Sequence, residues 1–223
     1  MNPLQLILGD EEFLIDRATS SIIRAVRSTM QSNPEELPIT KLRAGDVTPS
    51  EISELLSPSL FAEDRVVILA AAGEAGKEAA STIEQAVKEP APGVVLIVIH
   101  SGGGRAKNLV KILKNAGADV TECPKLTKFS EREDFVVNEF RNLGVRPSRD
   151  TVHALLDAIG GDLRELASAV SQLVADTGGR VDPAAVRRYY AGIAGVTGFQ
   201  VADETIAGNT AAALASLRWA LAV

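Results

Sequence analysis

Two stretches of this chain, Arg65-Val66-Val67-Ile68-Leu69-Ala70 and Val94-Val95-Leu96-Ile97-Val98-Ile99, are apolar almost without interruption. Successive side chains of a strand point to opposite faces, so strands of this kind must be covered on both sides. That demand selects a parallel sheet with helices on each face over a half-exposed antiparallel one. A third compact run at residues 4–8 ends at Gly9, and weaker strand candidates lie at 38–43 and 119–123. Helices are expected between them at 13–30, 48–56, 78–87 and 105–115. Acidic Asp10-Glu11-Glu12 suits a helix N-terminus. Thr48-Pro49-Ser50-Glu51 marks another, with a capping threonine, a proline in the first turn and a glutamate at the capping-box position. Strand and helix alternate about five times, which predicts an α/β domain built on a doubly wound, parallel five-stranded sheet.

The second half changes character. Beyond Thr127 no strand-like run remains, and four helices are expected at 130–143, 148–159, 162–175 and 182–190. Gly144, Gly160-Gly161 and Gly178-Gly179 stand where helix C-caps belong. Leu163, Leu166, Val170 and Leu173 fall on one helical face. The expected organisation is an α/β domain at 1–127, a small all-helical lid domain at 128–207 and a further piece at 208–223. The helical pattern from Asn209 onward stops without a cap, as at a cut.

Composition narrows the function. Net charge is −6 and the isoelectric point is near 5.1, which argues against holding nucleic acid through a broad basic face. Aromatics are only 4% of residues, too few for extended stacking on bases. One cysteine, Cys123, excludes an internal disulfide and a cysteine-rich metal site. His100 and His153 lack ligand spacing and suit an element end and a helix face, so no metal or other cofactor is expected. With neither a signal peptide nor a membrane-length apolar run, the chain is expected to be cytoplasmic.

Phosphate chemistry fares poorly. A phosphate loop needs G-x-x-x-x-G-K-[ST] after the first strand, and here Leu8-Gly9-Asp10-Glu11-Glu12 offers carboxylates. The nearest imitation, Ala71-Ala72-Gly73-Glu74-Ala75-Gly76-Lys77-Glu78, follows the wrong strand, with Ala71 for a glycine and Glu78 for the hydroxyl residue. Gly102-Gly103-Gly104-Arg105 lacks both the lysine and the hydroxyl. A phosphoacceptor receiver domain would need an aspartate ending the third strand, where residues 66–72 supply none. No Ser-His-Asp or paired-carboxylate arrangement can be assembled, so no catalytic residues are expected. Arg105, Lys107, Lys111 and Lys114 form a basic stretch after the glycine run, followed by Lys125 and Lys128. Such a stretch is ordinarily a solvated helix face, and a DNA-facing role for Arg105, Lys107 and Lys111 is the alternative.

One apolar pair stands out. Ser57-Pro58-Ser59-Leu60-Phe61-Ala62 precedes the first buried strand, and Pro58 stops the preceding helix. Leu60 and Phe61 would either tuck beneath their own sheet or, presented on the bend, fill a pocket on another protein. Each burial is worth about 1.5–3 kcal/mol in either setting.

Three stretches, in order, resemble the delta subunit of the bacterial DNA polymerase III clamp loader. They are Leu6-Ile7-Leu8-Gly9-Asp10-Glu11-Glu12-Phe13-Leu14-Ile15, then Ser59-Leu60-Phe61 ahead of Arg65-Val66-Val67-Ile68-Leu69, then Gly160-Gly161-Asp162-Leu163-Arg164-Glu165-Leu166. The resemblance implies an AAA+-like α/β domain without a functional phosphate loop, a helical lid, and the start of a helical collar domain from about Asn209. It implies that Leu60 and Phe61, shaped by Pro58 and Ser59, plug into an apolar pocket on the sliding clamp (the beta subunit). The other implied partners are the tau/gamma and delta-prime loader subunits, with primed DNA met only within the complex. The implied role is non-catalytic: binding the clamp and favouring its open state. Two alternatives remain from the residues alone. One is a degenerate ATPase that binds nucleotide through Gly73 to Lys77 or Gly102 to Arg105; the other is an α/β adaptor with an unrelated partner.

Overall fold

The computed structural model describes residues 2–29, 36–58, 64–190 and 205–220. They fall into two compact units, Met1–Lys125 and Leu126–Val223. The first contains β1 (Leu4–Gly9), α1 (Glu12–Thr29), β2 (Ile39–Arg43), α2 (Pro49–Leu56) and β3 (Arg65–Ala70). It continues with α3 (Lys77–Lys88), β4 (Val94–His100), α4 (Asn108–Asn115) and β5 (Asp119–Cys123). The five strands form one sheet in the order β2-β3-β4-β1-β5, and every neighbouring pair is parallel.

The unbroken apolar runs become β3 and β4, at the middle of this sheet. Val67, Leu69, Leu96 and Val98 face one side, where Ile52 of α2, Ile83 of α3 and Leu109 and Leu113 of α4 cover them. Val66, Ile68, Ile97 and Ile99 face the other side with Ile7 and Cys123, against Leu14, Ile15, Ala18 and Ile22 of α1. Burial on both faces is why the alternation is missing.

Local signals set the helix starts. Thr48 caps α2 through the predicted reciprocal pair: its hydroxyl accepts from the Glu51 N–H at 3.3 Å, and the Glu51 carboxylate accepts from the Thr48 N–H at 2.8 Å. Those hydrogen bonds to the charged form hold the Glu51 carboxyl below its usual range. One start differs from expectation. The basic helix begins at Asn108, because residues 105–107 form a turn captured by neighbours. There the Ala106 N–H donates to the Gly73 carbonyl at 3.1 Å, and the Arg105 guanidinium donates to the Glu74 carbonyl at 2.6 Å.

The second unit contains α5 (Phe129–Asn142), α6 (Arg149–Ile159), α7 (Leu163–Thr177), α8 (Pro183–Tyr190) and α9 (Thr210–Ala220). Its core gathers Phe140, Leu155, Leu166, Val170, Leu173 and Val186, all fully buried. Ser148, Asp162 and Asp182 cap α6, α7 and α8 by accepting backbone N–H groups at 3.2, 2.9 and 2.6 Å.

Candidate functional site at the two edges of the sheet

A doubly wound sheet places ligands beyond the C-terminal ends of its strands, where successive connections diverge to opposite faces. Here that point lies between β1, followed by α1 on one face, and β4, followed by α4 on the other. The connection from β1 to α1 is Asp10 and Glu11 alone. It is pinned to β5, because the Glu11 N–H donates to the Cys123 carbonyl at 3.0 Å. Gly9 has φ +147°, and a Cβ there would stand 1.9 Å from that carbonyl oxygen. Asp10 lies 3.9 Å from the Lys125 ammonium. Two residues cannot wrap a phosphate as a P-loop does, and the helix N-terminus beyond them bears Glu12.

The two glycine-rich segments close on each other. A Cβ on Gly104 would lie 2.4 Å from the Gly73 carbonyl oxygen, and one on Gly73 would lie 2.6 Å from the Gly103 oxygen. His100, fully buried at the end of β4, ties the turn down. Its Nδ1 accepts from the Gly102 N–H at 2.8 Å, and its Nε2–H donates to the Ala106 carbonyl at 3.2 Å. Lys77, the lysine of the P-loop imitation, is the exposed first residue of α3. Ala71 stands in left-handed backbone at φ 51°, so the chain accepts strain there where a true glycine loop would have none. These segments are spent on stitching β3 to β4. His100→Ala is expected to cost about 2–4 kcal/mol of stability, with His100→Gln recovering part of it in a urea titration.

The basic candidates separate on this edge. Arg105 is committed to the Glu74 carbonyl, and Lys114 lies 3.6 Å from Glu122. Lys107 and Lys111 are exposed and have no partner among the described residues. Cys123 is 1% exposed, and burial pushes its thiol up from the usual range, with Glu122 adding to the shift. His153 lies on α6 in the helical unit, 3.1 Å from a Glu133 oxygen that also accepts from Arg149 at 3.2 Å. Among the described residues no group of three or more His, Cys, Asp or Glu side chains could hold a metal, and no helix is long and apolar enough to cross a membrane.

The opposite, N-terminal edge carries the other candidate. The α2 helix is anchored by buried Ile52 and Leu56 and ends at Ser57, whose hydroxyl donates back to the Ser53 carbonyl at 2.5 Å. Pro58 follows, exposed. Ser59, Leu60 and Phe61 lie outside the described residues, within the segment 59–63. The chain is described again at Asp64, and Arg65 opens β3 with its N–H on the Gly93 carbonyl at 2.8 Å. The Arg65 guanidinium donates to the Ser57 carbonyl, closing the ends of the 57–65 stretch onto each other. A small apolar pocket opens on the same edge, lined by Leu4, Leu56, Val87, Val94 and Leu96 among others. Neither the Arg65 contact nor the His100 bridge was legible in sequence, since each joins residues through the fold; a basic residue opening a buried strand was the one available hint.

A family described as DNA polymerase III, delta subunit, matches residues 6–124. No curated protein matches the sequence. Among solved structures, the Bacillus subtilis DNA clamp loader delta protein is similar in fold, with a TM-score of 0.76 at 20% identity, over 98% of this chain and 67% of that one. The Thermotoga maritima RuvB Holliday junction branch migration motor aligns at a TM-score of 0.45 and 10% identity, over 83% of this chain and 60% of that one.

Proposed function

Because this chain belongs to the DNA polymerase III delta-subunit family, we propose that it is a non-catalytic clamp-loader component that grips a sliding clamp and favours its open state. The grip is Leu60 and Phe61, with Pro58 and Ser59 shaping their approach. The observation that carries this reading is the family match itself, which spans the α2–β3 connection where the pair lies. The closed ends of that connection support it: a short apolar pair held on a fixed base loses less entropy on binding than one on a free loop. A ring with closed and open states shifts toward the one its partner binds better, so opening needs only preferential affinity. The other loader subunits, tau/gamma and delta-prime, are its expected partners, with ATP used elsewhere in the loader. Lys107 and Lys111, with Arg105 behind them, would meet primed DNA within the complex. We place the loader in the cytoplasm, and residues from about Asn209 at the start of a collar domain.

The two-residue β1–α1 connection and the stitched glycine turns speak against the nucleotide-binding alternative. Calorimetric titration of the chain against a bacterial sliding clamp is the direct test. Saturable binding is expected, and magnesium-ATP should not raise the melting temperature; no clamp binding, or strong protection by magnesium-ATP, would sink the proposal. A second measurement concerns the base of the grip. Arg65→Ala is expected to weaken clamp binding about fivefold by freeing the loop ends, with Arg65→Lys intermediate. Equal affinity in both variants would show that the Ser57–Arg65 contact does not position the pair.

A further inference from the structure

We propose that an arginine-lined cleft at one end of the helical unit is a contact site for the phosphate backbone of nucleic acid. The cleft is open to solvent and lined by Val137, Arg141, Gly144, Val145, Arg146 and Pro147. Arg141 comes from the last turn of α5, and Arg146 from the loop to α6. The loop is held in shape, because the Gly144 N–H donates to the Arg141 carbonyl and the Val145 N–H to the Phe140 carbonyl, both at 2.9 Å. A third arginine, Arg180, stands in the α7–α8 loop. There Gly179 approaches Val145 of the lining, where an added Cβ would lie 3.5 Å from the valine Cγ2.

Some cations of the unit are engaged and others, Arg187 and Arg218 among them, are exposed without a partner among the described residues. Lys128 lies 3.6 Å from Glu131, Arg149 lies 3.2 Å from Glu133, and Arg132 donates to the Leu126 and Thr127 carbonyls. Arg141, Arg146 and Arg180 are exposed and have no side-chain partner among the described residues. No carboxylate lines the cleft. Cations of one sign around a concave, low-dielectric wall focus positive potential, and a planar guanidinium matches the oxygens of a phosphate in bidentate fashion. The lining between the arginines is small and shallow (Gly144, Val145, Pro147) and lacks the deep apolar socket that a peptide anchor would need. A polyanion laid across it is the better fit. In a chain of net charge −6, such contact must be local.

The test is fluorescence anisotropy with a labelled primer–template duplex across a range of salt concentrations. The intact chain is compared with Arg141→Ala/Arg146→Ala, the same with Arg180→Ala added, the corresponding lysine variants, and Lys107→Ala/Lys111→Ala. Circular dichroism and melting check that each is folded. The alanine double variant should bind DNA of any sequence about tenfold more weakly at low salt, and lose about two from the salt slope. Adding Arg180→Ala should weaken it further, whereas the lysine variants keep the slope. Clamp binding should be unchanged in all of them, which separates this site from the grip at Leu60 and Phe61. The proposal fails if the intact chain does not bind DNA at low salt, or if the double variant keeps both affinity and slope. It also fails if only Lys107→Ala/Lys111→Ala weakens binding. Full displacement of DNA by millimolar inorganic phosphate would reduce the cleft to an isolated anion site. Arginine-dependent binding of polyglutamate in place of DNA would assign it to an acidic protein.

Discussion

Replacing Leu60 and Phe61 together by alanine is expected to lower clamp affinity by roughly 10²- to 10³-fold while leaving the melting temperature within a few degrees of the parent. Two central apolar anchors, each worth about 2 kcal/mol on truncation, account for that loss. Stability is what separates a grip from a core contact. If the pair instead packed beneath its own sheet, the same double change would cost about 4–6 kcal/mol of folding free energy. Under the first reading the titration changes and the melt does not, whereas under the second the melt itself falls. A fully folded variant that still binds the clamp with parental affinity would discard the site and keep the partner. The base of the loop does not depend on the pair: Ile52 and Leu56 hold α2, and the Gly93 and Ser57 carbonyls hold Arg65.

Gly9→Ala carries the largest expected effect on folding, about 3–5 kcal/mol, read as a fall of several degrees or more in melting temperature. The position combines a φ of +147° with a carbonyl oxygen 1.9 Å from where the new Cβ would stand. That oxygen, on Cys123, also accepts the Glu11 N–H, and Gly9 pairs with Cys123 in the β1–β5 ladder, so relief by movement breaks the last rung. Gly103→Ala is the control, since nothing lies within 4 Å of its added Cβ. A neutral Gly9→Ala would mean that the β1–α1 connection adopts another course. The case against a phosphate loop at that edge would then lose its geometric footing.

Several features could be read from contiguous residues. The unalternating runs at β3 and β4 announced a sheet covered on both faces, and Thr48-Pro49-Ser50-Glu51 announced the start of α2 with its reciprocal cap. The Leu8-to-Glu12 connection offered carboxylates where a phosphate loop needs glycines, a lysine and a hydroxyl, and the quoted motifs led to the family that the match over residues 6–124 shows. The helix start was misplaced at Arg105 for an instructive reason. Residues 105–107 have no local objection to helix, and the carbonyls of Gly73 and Glu74 capture them from more than thirty positions away.

Periodicity and caps are properties of neighbours along the chain, so the burial of β3 and β4 on both faces and the capped start of α2 are written in contiguous residues. Which distant groups meet is another matter. His100 bridging Gly102 and Ala106, Arg65 reaching Ser57, and Gly179 approaching Val145 of the cleft that Arg141 and Arg146 line all depend on how strands and helices pack. No local pattern encodes those meetings, because each is stabilised by contacts that exist only once the elements are side by side.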